Sequence, residues 1–161
     1  MDLETSRAAG PHAVLARLAG SWAGRATLLF EPGIVHAEGP VTGRIELLHD
    51  GRFAEHRYTT PIGEAESTGR ALIGCELDRR LWQVAWVDSF HTGTSIMLSE
   101  GPYDEGREVV DVLGRYHVPD GPPWGWRTTY EPGDGRLVVR HYNVTPDGEA
   151  ALAVQFDLAR A

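Results

Sequence analysis

Polar and apolar residues alternate with a period of two along most of the chain, which is the pattern of half-buried β-strands. Helical spacing occurs once, where Val14, Leu15 and Leu18 predict a short helix over 12–18 that ends at Gly20. Residues 1–9 show neither period, and we expect them to form a loose terminus. The chain is therefore predicted to be all-β behind a short N-terminal helix.

Turn residues divide the remainder into about ten strands. Asp50-Gly51 is the sharpest hairpin signal, because a two-residue turn needs positive φ and Asp-Gly tolerates it. Short connections between neighbours predict an antiparallel up-and-down meander, and a meander of this length closes into a barrel that has no exposed edge. We expect one calycin-like domain over 1–161, with strands at 21–31, 43–49, 52–60, 66–77, 81–88, 94–101, 107–117, 126–131, 136–143 and 150–159.

The charged residues mark the outer face of most strands. Glu55 and Arg57 point outward, for example, so their neighbours on the same strand point inward. The same rule places Phe30 inside, and we assign the face of strand 81–88 that carries two tryptophans to the interior, because exposed tryptophans are costly. The interior is then mostly apolar, with these polar and aromatic members: His56, Tyr58, Trp86, Asp88, Tyr116, Trp126, Tyr130 and His141.

Composition excludes several classes of function. All fifteen basic residues are arginine, so Schiff-base chemistry through lysine is impossible, and a net charge of -8 without a basic stretch argues against nucleic acid as a partner. The single cysteine, Cys75, excludes an internal disulfide and a multi-thiolate zinc site, and it fits a reducing, cytoplasmic location. No segment approaches the ~20 apolar residues of a membrane span, so we expect no membrane partner.

Asp88 and His56 are the candidate catalytic residues, because an inward carboxylate or imidazole can move a proton in a dry pocket. Each also has a structural interpretation, with His56 paired in the core and Asp88 capping the turn that follows its strand. Ser89 and His91 complete the residue types of a hydrolytic triad, but their spacing within one turn does not suit a relay. The candidate ligand-binding residues are Tyr58, Trp86, Tyr116, Trp126, Tyr130 and His141, and no cofactor or metal is required.

Two motifs resemble known families. Gly20-Ser21-Trp22 with Arg160 resembles the calycin pattern, in which a tryptophan closes one barrel end and a late arginine packs across it. The segments 74–78 and 81–89 resemble a block of domain-of-unknown-function family 1579, which implies a lipocalin-like barrel and no established activity. The opening segment 20–24 is also similar to nitrobindin-type haem barrels, which implies haem bound by a late-strand histidine, here His141.

Three functions follow as hypotheses. The first is a barrel that holds a small apolar or aromatic molecule, which requires that its own side chains leave the interior free. The second is a cofactor-free isomerase or cyclase that uses acid–base chemistry, and the third is haem binding through His141. Trp124 and Trp126 lie beside Pro122-Pro123, where they would form a lid over the barrel mouth or an association surface, so a homodimer stays open.

Overall fold

Ten antiparallel strands close into one barrel behind two short helices. The structure, a computed structural model, describes residues 1–62 and 65–161. The strands pair in chain order, and β1 pairs with β10 to complete the ring, which confirms the predicted all-β barrel. The elements are α1 Leu3–Ala9, α2 Pro11–Leu18, β1 Gly20–Glu31, β2 Ile34–Leu48, β3 Phe53–Ile62, β4 Ala65–Glu76, β5 Leu81–Asp88, β6 Met97–Pro102, β7 Val110–Tyr116, β8 Trp124–Pro132, β9 Arg136–Val144 and β10 Ala150–Arg160.

The first hairpin is longer than predicted and contains a bulge. Strand β2 begins at Ile34, nine positions before the predicted start at 43 (43 − 34 = 9), and it pairs with the whole of β1. The register shifts around Leu29, so that Leu28 and Leu29 are both buried. The expectation that Phe30 points inward is wrong for this reason: the bulge turns its ring outward, where it stacks on His36.

Helix α1 occupies residues for which the sequence indicated a loose terminus. The Asp2 carboxylate caps it by accepting a hydrogen bond from the Thr5 backbone N–H at 2.8 Å. The buried Ser6 hydroxyl lies 2.7 Å from His12 Nδ1 and thereby ties α1 to α2. The sequence did not predict α1, because a search for apolar periodicity does not detect a helix that is attached through a buried polar contact such as Ser6–His12.

Helix α2 covers one end of the barrel, which we call the closed end. Trp22 is buried there and its indole N–H donates to the Leu18 carbonyl at 2.8 Å. The Arg160 guanidinium lies 4.6 Å from the centroid of the Trp22 ring and donates to the carbonyls of Ala19 and Arg17 at 2.9 and 3.2 Å. The tryptophan and the late arginine therefore pack as the calycin resemblance implies.

The outer surface of β2, β3 and β4 carries arginines side by side. Arg44 pairs with Arg57, and Arg57 with Arg70, in the strand register. Neighbouring glutamates separate these like charges: Glu46 accepts from Arg44 at 2.7 Å, and Glu55 lies 3.6 Å from Arg70. Arg57 and Arg70 thus form ion pairs with glutamates of the neighbouring strands.

Candidate functional site

The end of the barrel opposite α2 carries the polar and aromatic side chains, and we call it the open end. In an antiparallel meander the connections after β1, β5, β7 and β9 all lie at this end. The connection over 89–96 follows Asp88, the last residue of β5, and crosses the open end before β6 begins. The open end is therefore built from strand ends and loops, which is the usual place for functional residues.

A stack of aromatic rings lies just inside the open end. The Trp86 and Trp126 rings have centroids 5.6 Å apart and planes 6° apart, and both side chains are buried. His141 stacks on both of them, with centroids 5.2 Å from Trp86 and 5.6 Å from Trp126. Its Nδ1 lies 3.0 Å from the Thr128 hydroxyl, and burial lowers the pKa of His141 to about 3. This imidazole is neutral near pH 7 and acts as a packed aromatic ring.

The interior below this stack is filled by the protein's own side chains. The Tyr58 hydroxyl accepts a hydrogen bond from the Trp86 indole N–H at 3.0 Å, and the Tyr58 ring packs edge-on against Phe156. The remaining cavity beside these rings measures about 20 Å³. A space of this size holds a water molecule, so the expectation of a ligand-sized interior pocket does not agree with the structure.

A larger space lies above the stack, and we call it the open-end cleft. Its volume is about 660 Å³, within the usual range for small-molecule sites. Trp86 and Trp126 form its apolar floor, and none of the lining side chains that the structure describes is acidic, although the chain carries a net charge of -8. The remaining lining residues are His91, Thr92, Ser95, Ile96, Met97, Arg115, Tyr116, His117 and Asn143.

Asp88 and His91 form a hydrogen-bonded pair at the wall of this cleft. Asp88 Oδ2 lies 2.7 Å from His91 Nδ1, while Asp88 Oδ1 accepts the backbone N–H groups of His91 and Thr92 at 2.6 and 2.8 Å. Burial raises the pKa of the Asp88 carboxyl, but the hydrogen bonds and the charge interaction with His91 outweigh burial, so the pKa lies below its usual value. Asp88 is therefore an ionised carboxylate that caps the turn and also orients an imidazole.

Ser89 takes no part in this pair. Its hydroxyl accepts the Thr68 backbone N–H at 3.0 Å and donates to the Ser67 hydroxyl at 3.4 Å. Ser89 therefore lies apart from the Asp88–His91 pair. The tight turn nevertheless brings the side chains of Asp88 and His91 together. The sequence did carry a signal for the pair, because an aspartate at a strand end is followed three positions later by a histidine. An aspartate in this position is typical of an Asx-type turn, in which its side chain accepts backbone N–H groups of the next residues.

The other predicted site residues lie at different depths. Tyr116 reaches the cleft, where its hydroxyl donates to Asn143 Oδ1 at 2.9 Å. His56 lies deeper, with Nδ1 3.3 Å from the Tyr130 hydroxyl, and burial lowers its pKa to about 4. Burial also raises the pKa of Tyr58 and of Tyr130, so both phenols are neutral. The structure thus brings Trp86, Tyr116 and Trp126 to the cleft, places Asp88 behind His91 and outside the cleft lining, and places His56 and Tyr130 in the packed core.

The surroundings of His141 do not fit a haem. Trp86 and Trp126 stack on its ring, Phe156 packs edge-on against it, and the adjoining cavity has room for a water molecule. A porphyrin plane needs a slot above a free imidazole nitrogen, and the indoles fill the space around this imidazole. Among residues 1–62 and 65–161, no group of three or more His, Cys, Asp or Glu side chains is placed to hold a metal ion.

The fold and its sealed end define a class. A closed antiparallel barrel with a tryptophan under a terminal arginine is a calycin-like barrel. Residues 7–160 match the model of the family described as "Protein of unknown function (DUF1579)", and the chain belongs to that family. A search of curated proteins found no match. No helix in the described part of the chain has the length and apolarity needed to cross a membrane.

Proposed function

We propose that this protein binds a flat aromatic molecule in the open-end cleft. The observation that carries the proposal is the floor of the cleft, where two parallel, buried indoles lie beneath a space of about 660 Å³. Trp86 is 4% and Trp126 5% exposed, so a planar ring packs against the small part of each indole that reaches the cleft, and an aromatic contact contributes about 0.5–1.5 kcal/mol beyond the burial of its area. The packed interior beneath the indoles fixes their orientation, so the ligand meets a preformed surface.

The lining of the cleft favours a ligand that carries an acidic group. Arg115 borders the cleft and forms no ion pair with an acidic side chain of the described residues. Asn143 Oδ1 is occupied by the Tyr116 hydroxyl, which leaves the Asn143 amide N–H groups to donate to a ligand. A positive and hydrogen-bond-donating cleft on a protein of net charge -8 selects for an aromatic carboxylate or phenolate.

Isothermal titration calorimetry with naphthoate tests this proposal. Met97 lines the cleft and pairs with Trp86 in the strand register, so Met97→Trp fills the space above the indole floor. We expect this variant to lose at least about tenfold in affinity, which corresponds to about 1.4 kcal/mol. The matched control is Leu98→Trp, the same substitution one residue later, where the side chain is exposed on the outer face.

Two results would contradict the proposal. The first is naphthoate binding that Met97→Trp leaves unchanged, and the second is an absence of binding to the unmodified protein. Ser95→Trp places an indole in the same cleft from the exposed connection over 89–96. We expect it to weaken naphthoate binding as well, so the proposal can be tested even if Met97→Trp does not fold. Native mass spectrometry of the freshly purified protein adds an independent measurement, in which we expect the mass of one co-purified small molecule.

A further inference from the structure

His91 stands between the small inner cavity and the open-end cleft, and it lines both. Its ring centroid lies 5.9 Å from that of Trp86 and 5.2 Å from that of Trp126. Its side chain is 22% exposed, whereas the side chain of its partner Asp88 is 2% exposed. The imidazole therefore contacts the same indoles that form the floor of the cleft, and a buried carboxylate holds it from behind.

The Asp88 carboxylate determines which imidazole nitrogen is free. A carboxylate can only accept, so the proton of the neutral ring resides on Nδ1, where it is donated to Asp88 Oδ2 at 2.7 Å. Nε2 then carries the lone pair and makes no hydrogen bond to any residue in the described ranges. An imidazole oriented in this way, with one nitrogen held and the other vacant beside a cleft, has the arrangement of a general base.

We infer that the open-end cleft is a proton-abstraction site, in which His91 is the general base and Asp88 its positioning residue. This inference rests on the proposed function, because the substrate must lie on Trp86 and Trp126 for its C–H bond to meet His91 Nε2. The substrate class is a flat aromatic or conjugated molecule with an acidic C–H bond. His91 takes the proton, the C–H electron pair moves into the conjugated system, and the imidazolium returns the proton to another carbon or to water.

The rest of the cleft suits the negative charge that develops on such a substrate. Arg115 and the Asn143 amide can both donate to an enolate or phenolate oxygen, and within residues 1–62 and 65–161 no acidic side chain lines the cleft to oppose it. The Asp88 carboxylate stabilises the imidazolium that His91 becomes. The two charges formed in the reaction thus each have a partner among the residues already in place.

The Kemp elimination of nitrobenzisoxazole tests the inference with a defined, flat substrate. A base removes the ring C–H proton, the C–H electrons form a nitrile, the N–O bond breaks and the oxygen leaves as a coloured phenolate. We expect the protein to catalyse this reaction and His91→Gln to slow it by about 100-fold, the lower range for general base catalysis. The matched control is His36→Gln, which removes an exposed histidine that stacks on Phe30 and does not line the cleft, and which should leave the rate unchanged.

Asp88→Asn tests the positioning role separately. The asparagine oxygen still accepts the backbone N–H groups of the turn, but its amide donates to His91 Nδ1 and moves the imidazole proton to Nε2. We expect the rate to fall as in His91→Gln, and the ¹⁵N NMR shifts of His91 to change from the Nδ1–H to the Nε2–H tautomer. If Asp88 only caps the turn, the folded variant keeps the unmodified Kemp rate although the tautomer changes.

Binding of unreactive nitroindazole, measured by calorimetry, separates the two possible failures. If nitroindazole binds and the Kemp rate does not depend on His91, the proton-abstraction inference is wrong while the binding proposal stands. If neither nitroindazole nor naphthoate binds, both are wrong. A His91-dependent rate in a protein that binds nitroindazole, with His36→Gln unchanged, is the result expected.

Discussion

The two ends of the barrel use aromatic side chains in opposite ways. At the closed end, Trp22 is covered by Arg160 on its face and by α2 at its edge, and its indole N–H is satisfied by a backbone carbonyl. At the open end, Trp86 and Trp126 are also buried, but they form the floor of a cleft of about 660 Å³. The same residue type therefore completes the core at one end and lines a cleft at the other.

The polar groups differ in the same way. Arg160 donates to the backbone carbonyls of Ala19 and Arg17 and thereby ties β10 to the end of α2. Asp88 instead holds a side chain, His91, whose second nitrogen makes no hydrogen bond to a described residue. Arg160 is thus used within the fold, whereas His91 keeps hydrogen-bonding capacity for another molecule. This difference is why we place the proposed binding at the open end.

Truncating a tryptophan at each end gives the largest contrast. Trp22→Ala should cost about 3–5 kcal/mol of the free energy of unfolding, because it leaves a cavity under Arg160 and removes a buried hydrogen bond. Trp124→Ala, at the half-buried start of β8 on the open end, should cost clearly less. Urea denaturation followed by circular dichroism measures both, and equal losses would contradict the distinction between the ends.

A methyl group added beneath Tyr58 tests how rigid the support of the cleft floor is. In Gly69→Ala the new β-carbon overlaps the Tyr58 ring, which cannot withdraw because Phe156 and the Trp86 hydrogen bond hold it. We expect a loss of about 1–3 kcal/mol in the free energy of unfolding. Gly133→Ala is the control, since its nearest neighbour would be 3.8 Å away. A neutral Gly69→Ala would mean that the ring has room to move.

Acid should destabilise the protein through its buried histidines. The pKa of His141 is lowered from 6.5 to about 3 in the folded state, so on acidification the unfolded chain takes up a proton first. The free energy of unfolding is therefore highest above pH 6.5, where His141 is neutral in both states. It falls as the pH drops toward 3, because only the unfolded chain binds the proton. Between pH 6.5 and 5 the loss is about 1–2 kcal/mol for this residue. His141→Gln should therefore reduce the pH slope of the unfolding free energy, measured by urea denaturation at several pH values.

The alternation of charge and apolarity predicted the strands and most inward faces. It did so because a residue such as Arg57 can only face water, which fixes its neighbours His56 and Tyr58. It missed the bulge at Leu29, because a shift in register leaves no mark in a period-two pattern. The cleft and the position of His91 beside it could not be predicted from the sequence. Both depend on the path of the connection over 89–96 and on how far the aromatic rings fill the barrel.

The most direct test is an NMR titration of the five indole N–H signals with naphthoate. Trp86 and Trp126 form the floor of the cleft, whereas Trp22 and Trp82 are fully buried elsewhere in the core. We predict that the signals of Trp86 and Trp126 shift with saturation while those of Trp22 and Trp82 stay in place. Unchanged signals for Trp86 and Trp126, or shifts centred on Trp22 and Trp82, would contradict a binding site at the open end.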